Sequence, residues 1–195
     1  ANPFKVWIED WKVTETGAGK YEFPSIRITA NEKDISLDLE LMLAKPIVLQ
    51  GQNGLSQKSK EAGNASYYYS ATRIETKGII KIEGKDNVVE GSSWLDREWS
   101  TSALADYQKG WDWFSLQLDN NIEIMYYQLR NKDGSVDATS KGSIVFPEGK
   151  KENIRAEELE LKMTEEWKNA DGKLYPSGWT LKIPSRNISL TIRPA

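Results

Sequence analysis

Apolar and polar residues alternate with a period of two along most of this chain. Residues 35–43, ISLDLELML, show the pattern best, because every second position is apolar: Ile35, Leu37, Leu39, Leu41 and Leu43. In an extended strand every second side chain points to the same face, whereas a helix would scatter these residues around its axis. The segment is therefore predicted to be a strand with one buried face.

Similar alternation predicts strands at residues 4–12, 21–30, 66–74, 76–83, 87–99, 110–119, 121–130, 142–146, 157–163, 178–183 and 187–193. Short polar segments such as Asp119-Asn120-Asn121 lie between them and are typical of hairpin turns. Strands that follow one another through short turns pair antiparallel. The chain is therefore predicted to be all-β, as an antiparallel barrel or sandwich.

Two segments depart from this alternation. Residues 98–108, EWSTSALADYQ, are predicted to hold one short helical turn. Residues 50–65 are rich in Gly, Ser, Asn and Lys. Two interpretations stay open for residues 50–65: an exposed loop, or a mobile flap over the mouth of a cavity.

The composition excludes several classes of function. The chain has 26 basic and 29 acidic residues, well interspersed, and a net charge of -3, so no basic stripe is available for nucleic acid. No apolar run approaches the ~20 residues of a transmembrane helix. Cysteine and histidine are absent, which excludes disulfides, thiolate nucleophiles, Ser-His-Asp catalysis and two-histidine metal sites. We predict no metal site and no cofactor, because no motif for either is present.

The candidates for chemistry are two carboxylates in residues 91–118, a segment that also contains four tryptophans. In a strand, Asp96 and Glu98 lie on the same face as Trp94, and the two carboxylates are about 7 Å apart. One interpretation pairs each carboxylate with a Lys or Arg across the strands. The other makes them an acid pair, in which apolar surroundings raise a pKa so that a double bond can be protonated or a water activated.

Aromatic residues cluster at three places: Trp7 with Trp11, Tyr67 to Tyr69, and Trp111 with Trp113 followed by Tyr126-Tyr127. Trp111 and Trp113 share a strand face, and the hairpin at residues 119–121 brings the next strand beside them. These aromatics either fill a solid core or line a barrel wide enough for a ligand. Eight tryptophans in 195 residues shift the balance toward a long, apolar or polyunsaturated ligand.

Several motifs, taken in order, carry a resemblance to a known family. They are FKVWIEDW, IVLQGQNGLSQKSKEAGNASYYYS, GSSWLDREWS, GWDWFSLQLD, IEIMYYQLR and LYPSGWTLKIP. Over nearly the whole chain this series resembles the AttH-like proteins related to carotenoid 1,2-hydratase (hydroxyneurosporene synthase). The resemblance implies an antiparallel β-barrel of the lipocalin or calycin type.

The resemblance also implies a domain organisation, because full-length members resemble two consecutive barrels behind an export or lipoprotein signal. Residues 1–50 are then the end of a first barrel and residues 51–195 most of a second, with the rest of the barrel pair on the same parent chain. Alternatively, residues 1–195 close one barrel by themselves. The chain begins at Ala1 rather than Met, which fits a cleaved export signal or an excised fragment. The expected localisation is periplasmic or secreted.

In the hydratase branch, water is added across a terminal isoprenoid double bond, an aspartate donates the proton, and aromatic residues stabilise the carbocation. The resemblance assigns the acid to Asp96, and Glu98 would orient the water or tune Asp96. The expected ligand-binding residues are aromatic: Tyr67, Tyr69, Trp94, Trp111, Trp113 and Tyr126. The hydratase pattern includes a histidine near the site, which this chain lacks.

Three hypotheses for function follow from these observations. The leading hypothesis is binding of a hydrophobic small molecule, a lipid or an isoprenoid or carotenoid-like compound, in an aromatic-lined β-barrel. The alternative is a cofactor-independent hydratase or lyase that protonates an isoprenoid double bond through Asp96. The third is a structural β-domain whose tryptophans fill a solid core.

Overall fold

Antiparallel strands make up most of the chain in the computed structural model, which describes residues 3–100 and 104–194. The strands are β1 (Lys5–Ile8), β2 (Trp11–Gly17), β3 (Ser25–Glu32), β4 (Ile35–Leu43), β5 (Val48–Leu49), β6 (Leu55–Gln57), β7 (Ala65–Ile82), β8 (Lys85–Ser100), β9 (Gln108–Gln117), β10 (Glu123–Asn131), β11 (Lys141–Val145), β12 (Lys151–Arg155), β13 (Glu160–Lys168), β14 (Leu174–Ile183) and β15 (Ile188–Ile192). Short 3-10 helices span Ala156–Glu158 and Pro184–Arg186. No helix in this part of the chain is long and apolar enough to cross a membrane.

The strands form three antiparallel sheets. The largest has eight strands in the order β1-β2-β3-β4-β7-β5, with β6 and β8 also paired to β7. The others have the orders β12-β11-β10-β9 and β13-β14-β15. The antiparallel strands curl into a half-barrel, which confirms the prediction of an all-β antiparallel fold. No pairing between the described strands joins the three sheets into one closed barrel.

The predicted division after residue 50 falls between strands that are joined in one sheet. β4, from the first segment, pairs with β7, from the second, from Ile35 opposite Ile82 to Leu43 opposite Ile74. The two segments are therefore hydrogen-bonded directly to each other. The assignment of residues 1–50 to a first barrel stays a prediction.

Several strands differ in extent from the predicted ones. Residues 4–12 contain a hairpin, because Glu9 adopts a left-handed backbone with φ 50° that turns the chain between β1 and β2. Residues 66–74 and 76–83 form one strand, β7, with a bulge between Ala71 and Ile74 that bends it. The sequence pattern missed β12 because KENIR carries a single apolar residue.

The two irregular segments are partly built into the sheets. Within residues 50–65, β6 pairs with β7, and Ser56 and Ser59 are fully buried, so only parts of this segment form an exposed loop. Of residues 98–108, the first three end β8 and residues 106–107 form a turn. Residues 101–103 lie outside the described residues, and with them the middle of the predicted helical turn.

Three hydrophobic clusters hold the sheets together. The first joins the four-stranded and three-stranded sheets and includes Phe114, Ile124, Tyr126, Ile144, Ile154, Leu181 and Ile183. The second belongs to the large sheet and contains Ile26, Leu41, Leu43, Ala71 and Ile74. The third joins β7 to β10 and contains Tyr68, Met125, Tyr127 and Leu129, with Trp94 packed against it. This third cluster forms the floor of the candidate site.

A buried charge network also joins the large sheet to the four-stranded sheet. Glu123 on β10 is fully buried, and its carboxylate lies 2.7 Å from Lys45 Nζ and 2.5 Å from Arg73 Nε. Arg73 occupies the bulge of β7. Lys45 also donates to the backbone carbonyls of Asn121 and Phe146. The bulge and the start of β10 are thereby fixed against each other, close to the third cluster.

Gly142 on β11 lies against the backbone of β10 with no room for a side chain. A Cβ atom there would be 2.1 Å from the carbonyl oxygen of Met125 and 2.9 Å from the Cα of Tyr126. We expect Gly142→Ala to lower the free energy of unfolding by about 1–3 kcal/mol, measured by urea unfolding. Gly91→Ala on β8 is the matched control, because a Cβ atom at Gly91 meets nothing within 4 Å. Equal losses in both variants would contradict the prediction.

Candidate functional site

Asp96 lies on the face of β8 that is covered by the third cluster. The register of β7 and β8 sets Ser70 opposite Asp96. Oδ1 of Asp96 accepts hydrogen bonds from the Tyr68 hydroxyl at 2.9 Å and the Ser70 hydroxyl at 2.5 Å. Oδ2 accepts one from the indole N–H of Trp94 at 2.8 Å. The carboxylate is therefore fixed by three neutral donors rather than by an ion pair.

Burial and hydrogen bonding act on Asp96 in opposite directions. Burial disfavours the charged form and raises its pKa, while the three donors stabilise the carboxylate and lower it. Burial dominates, and the nearby charge of Glu98 adds to it, so the pKa of Asp96 is raised above its ordinary value. A raised pKa is the property that a carboxyl proton donor needs.

Tyr68 connects Asp96 to the surface of a cavity. Its side chain is buried, and its hydroxyl oxygen, which donates to Asp96, also accepts a hydrogen bond from the Trp113 indole N–H at 3.3 Å. Burial, followed by the charge of Asp96, raises the pKa of Tyr68 far above its usual range. Tyr68 therefore stays a neutral hydroxyl at physiological pH.

Glu98 has a different environment, although it shares the face of Asp96. It accepts a hydrogen bond from the Ser66 hydroxyl, and its carboxylate lies 2.6 Å from Lys58 Nζ. Lys58 comes from the segment that follows β6, and its ammonium lies over the Tyr127 ring, 4.0 Å from the centroid. Burial lowers the pKa of Lys58, and Glu98 partly offsets this. The ion-pair interpretation therefore applies to Glu98 but not to Asp96.

These side chains surround a cavity of about 290 Å³ between β7, β8, β9 and β10. Its walls include Lys58, Tyr68, Glu98, Trp111, Trp113 and Tyr127. Trp111 and Trp113 keep about half of their surface exposed, so they form the mouth, while Tyr68 and Tyr127 form the floor. Asp96 lies behind Tyr68, within one hydrogen bond of the cavity.

A larger groove of about 770 Å³ lies elsewhere on the large sheet. Its lining includes the exposed charged residues Glu40, Glu75, Lys77 and Glu90. Size alone does not identify a site, because functional sites combine apolar walls with a few convergent polar groups of shifted pKa. The smaller cavity meets that description and the larger groove does not.

The structure brings together most of the residues that the sequence singled out. Asp96 and Trp94 are hydrogen-bonded to each other, and Glu98, Trp111 and Trp113 line the cavity next to them.

Tyr67 and Tyr69 were predicted to lie beside Asp96, but the structure places them apart from this group. They lie on the opposite face of β7, where each ring is 6.1 Å from Trp99. Neighbouring residues of a strand point to opposite faces, so Tyr68 is the member of this tyrosine run that meets Asp96. Sequence reasoning missed Tyr68 because the local pattern does not reveal which face of β7 is opposite Asp96.

Tyr126 is also placed away from the cavity. It is fully buried in the first cluster, where burial raises its pKa to about 12. Its neighbour Tyr127 lies opposite Trp113 and lines the cavity instead. The signal was present in the sequence, because a hairpin centred on Asn120 pairs residue 127 with residue 113. No sequence pattern predicted that Lys58 would line the cavity, because it lies in a polar, irregular segment.

The curled antiparallel sheets define an all-β protein of lipocalin-like fold, which places a half-buried carboxylate beside an aromatic cavity. The chain belongs to the AttH-like family, whose model matches residues 1–195. The family resemblance read from the sequence is thus confirmed. No curated protein matches the chain at a significant level.

The chain is similar to several solved structures, including the following two. One is a protein from Nitrosomonas europaea described as an AttH, with 30% sequence identity and a TM-score of 0.81, covering 92% of this chain and 54% of that one. The other is kievitone hydratase from Nectria haematococca, with 16% identity and a TM-score of 0.70, covering 94% of this chain and 56% of that one. The second likeness concerns the fold alone. The chain spans about half the length of both structures.

Proposed function

We propose that the cavity between β7, β8, β9 and β10 binds a hydrophobic small molecule, a lipid or an isoprenoid. The observation that carries this proposal is the convergence of Trp111, Trp113 and Tyr127 on a cavity whose floor holds a few fixed polar groups. Small-molecule sites are commonly apolar hollows of this composition, with volumes of roughly 300–1,000 Å³. The cavity lies at the low end of that range, so it would hold one end of a long ligand and leave the rest at the mouth.

Replacing Trp113 tests the binding proposal. We expect Trp113→Ala to weaken binding of the fluorescent lipid cis-parinaric acid about tenfold, or about 1.4 kcal/mol, because one wall of the cavity is lost. The measurement is a fluorescence titration of the full chain. Trp167→Ala is the matched control, since Trp167 is exposed on β13 and does not line the cavity. Equal affinities in both variants, or no binding to the unmodified chain, would overturn the proposal.

A second candidate function is hydration of a carbon–carbon double bond, and the pairing of Asp96 with Tyr68 favours it. The fold is shared with kievitone hydratase, which supports the idea at the level of architecture. In this scheme Asp96 is protonated and its O–H donates to the Tyr68 oxygen, the reverse of the hydrogen bond that the ionised carboxylate accepts. The Tyr68 hydroxyl proton forms a bond to one alkene carbon while the proton of Asp96 moves to the Tyr68 oxygen. The other alkene carbon becomes a cation, which the faces of Trp113 and Tyr127 stabilise.

Water completes the reaction in the same scheme. Its oxygen forms the new carbon–oxygen bond, and its released proton goes to Glu98, whose carboxylate is exposed enough to exchange that proton with solvent. Asp96 takes up a proton from solvent through Tyr68, which balances the proton that Glu98 gives to solvent. The alkene and one water give an alcohol with no change of oxidation state overall, so no cofactor is required.

A further inference from the structure

Lys58 is a cation inside a cavity with mainly aromatic walls, and contacts to its backbone hold it there. Its N–H donates to the carbonyl oxygen of Asn64 at 2.9 Å, and its carbonyl accepts a hydrogen bond from the Gln108 side chain at 2.8 Å. Gln108 is itself buried and donates to Asp137 at 2.9 Å. These bonds attach the segment after β6 to the start of β9, so the position of Lys58 is set by the fold.

Among the described residues, the ammonium group of Lys58 has fewer oxygen partners than it has N–H donors. Its side chain is only 12% exposed, and in the described part of the chain its one oxygen partner is the carboxylate of Glu98. The rings of Tyr127 and Tyr68 attract the positive charge, with centroids at 4.0 and 5.3 Å, but a ring face satisfies an N–H poorly. An ammonium carries three N–H donors, so the described residues leave room for a further acceptor at the floor of the cavity.

The carboxylates near Lys58 are either engaged by other groups or held partly neutral. Lys141 is close enough for its pKa to be lowered by Lys58, in addition to the larger effect of its burial. The charge of Asp137 offsets Lys141 by raising its pKa, so Glu98 is the carboxylate left to Lys58 among the described residues, and Glu98 is also engaged by Ser66. Asp96 contributes less negative charge than an ordinary aspartate, because its pKa is raised by burial.

From this arrangement we propose that Lys58 selects the ligand by its polar end, and that the cavity takes an apolar chain that ends in a carboxylate. The inference rests on the proposed ligand-binding function and deepens it by naming the ligand class. The carboxylate lies against Lys58 at the floor of the cavity, and the apolar chain leaves between Trp111 and Trp113. A fatty acid and an isoprenoid acid share this chemistry.

Binding of cis-parinaric acid and of its methyl ester tests the proposal, because the two differ only in the charged end. The unmodified chain is expected to bind the acid about tenfold more tightly than the ester. Lys58→Met is expected to remove this preference by weakening the acid about tenfold, with the ester changed less than about twofold. Lys58→Arg keeps the charge and is expected to keep the preference for the acid.

Lys60→Met is the matched control, because Lys60 belongs to the same segment but is exposed and lies over Tyr107, 5.2 Å from the ring centroid. It is expected to leave both affinities unchanged. Equal affinity of the unmodified chain for acid and ester, or a preference that survives Lys58→Met, would overturn the role of Lys58 while ligand binding stands. If Lys58→Met lowers both affinities and Lys58→Arg does not keep the preference, Lys58 is structural and the proposal is wrong. Failure of both probes to bind would refute the proposed function itself.

Discussion

Asp96→Asn is expected to lower the rate of geraniol hydration about 10²–10⁴-fold relative to the unmodified chain, the usual contribution of a general acid, and to leave binding nearly unchanged. The asparagine keeps the shape of the side chain and one oxygen that can accept from Tyr68 and Ser70, but it has no acidic proton. Geraniol carries a terminal isoprenoid double bond and no carboxylate, so its double-bond end is free to lie against Tyr68 at the floor of the cavity. The rate is measured by mass spectrometry as incorporation of heavy oxygen from labelled water, and binding by competition with cis-parinaric acid.

Asp86→Asn is the matched control for this substitution. Asp86 lies on the same strand, and its side chain is exposed beside Lys81, so the rate should not change. Tyr68→Phe should reduce the rate as Asp96→Asn does, because the proposed proton path passes through the Tyr68 hydroxyl. A full rate in Asp96→Asn, or no product from the unmodified chain, would remove the hydratase candidate and leave the binding proposal in place.

The pH dependence of the same rate has a defined sign. The proton donor is the acid form of Asp96, whose pKa is raised chiefly by burial. The rate should therefore fall as pH rises through that raised pKa. Stability carries the same sign, because a carboxyl group that holds its proton more tightly in the folded state stabilises the fold at low pH and loses this contribution as pH rises. A rate that increases with pH over this range would assign Asp96 as a base.

The common face of Trp94, Asp96 and Glu98 was predictable because it depends only on local alternation. The extended conformation of residues 87–99 is confirmed, and in the structure Trp94 and Asp96 are hydrogen-bonded to each other. The partners of Asp96 on β7 were not predictable in this way. Contact with Tyr68 rather than with Tyr67 depends on the register between β7 and β8, and a shift of one residue would present the opposite face of β7.

The bulge in β7 is a second feature that local alternation could not predict, because it serves a contact between distant residues. The sequence pattern broke near residue 75 and predicted two strands, whereas the structure continues the strand and absorbs the irregularity in a bulge between Ala71 and Ile74. The bulge carries Arg73, which reaches Glu123 on another sheet. A contact between residues 50 positions apart leaves no periodic signal in either segment, so the charge network could not be predicted from the sequence.

Glu123→Gln is expected to lower the free energy of unfolding by about 3–5 kcal/mol, the usual cost of removing one partner from a buried ion pair. The carboxylate is fully buried and balances both Lys45 and Arg73, whose side chains are 5% and 20% exposed. A neutral amide would leave these two cations facing each other across a site that water barely reaches. Urea unfolding of the full chain, followed by tryptophan fluorescence, measures the change.

Glu152→Gln provides the matched control, because Glu152 also contacts two cations but in a more exposed place. Its side chain is 33% exposed and lies 2.9 Å from Lys150 and 2.6 Å from Arg186, so its loss should cost no more than about 1 kcal/mol. A cost at Glu123 as small as the cost at Glu152 would mean that water reaches the network. If Glu123→Gln is destabilising as expected, these charges stabilise the packing of the large sheet against the four-stranded sheet. The cavity between β7, β8, β9 and β10 lies between the same two sheets and therefore depends on that packing.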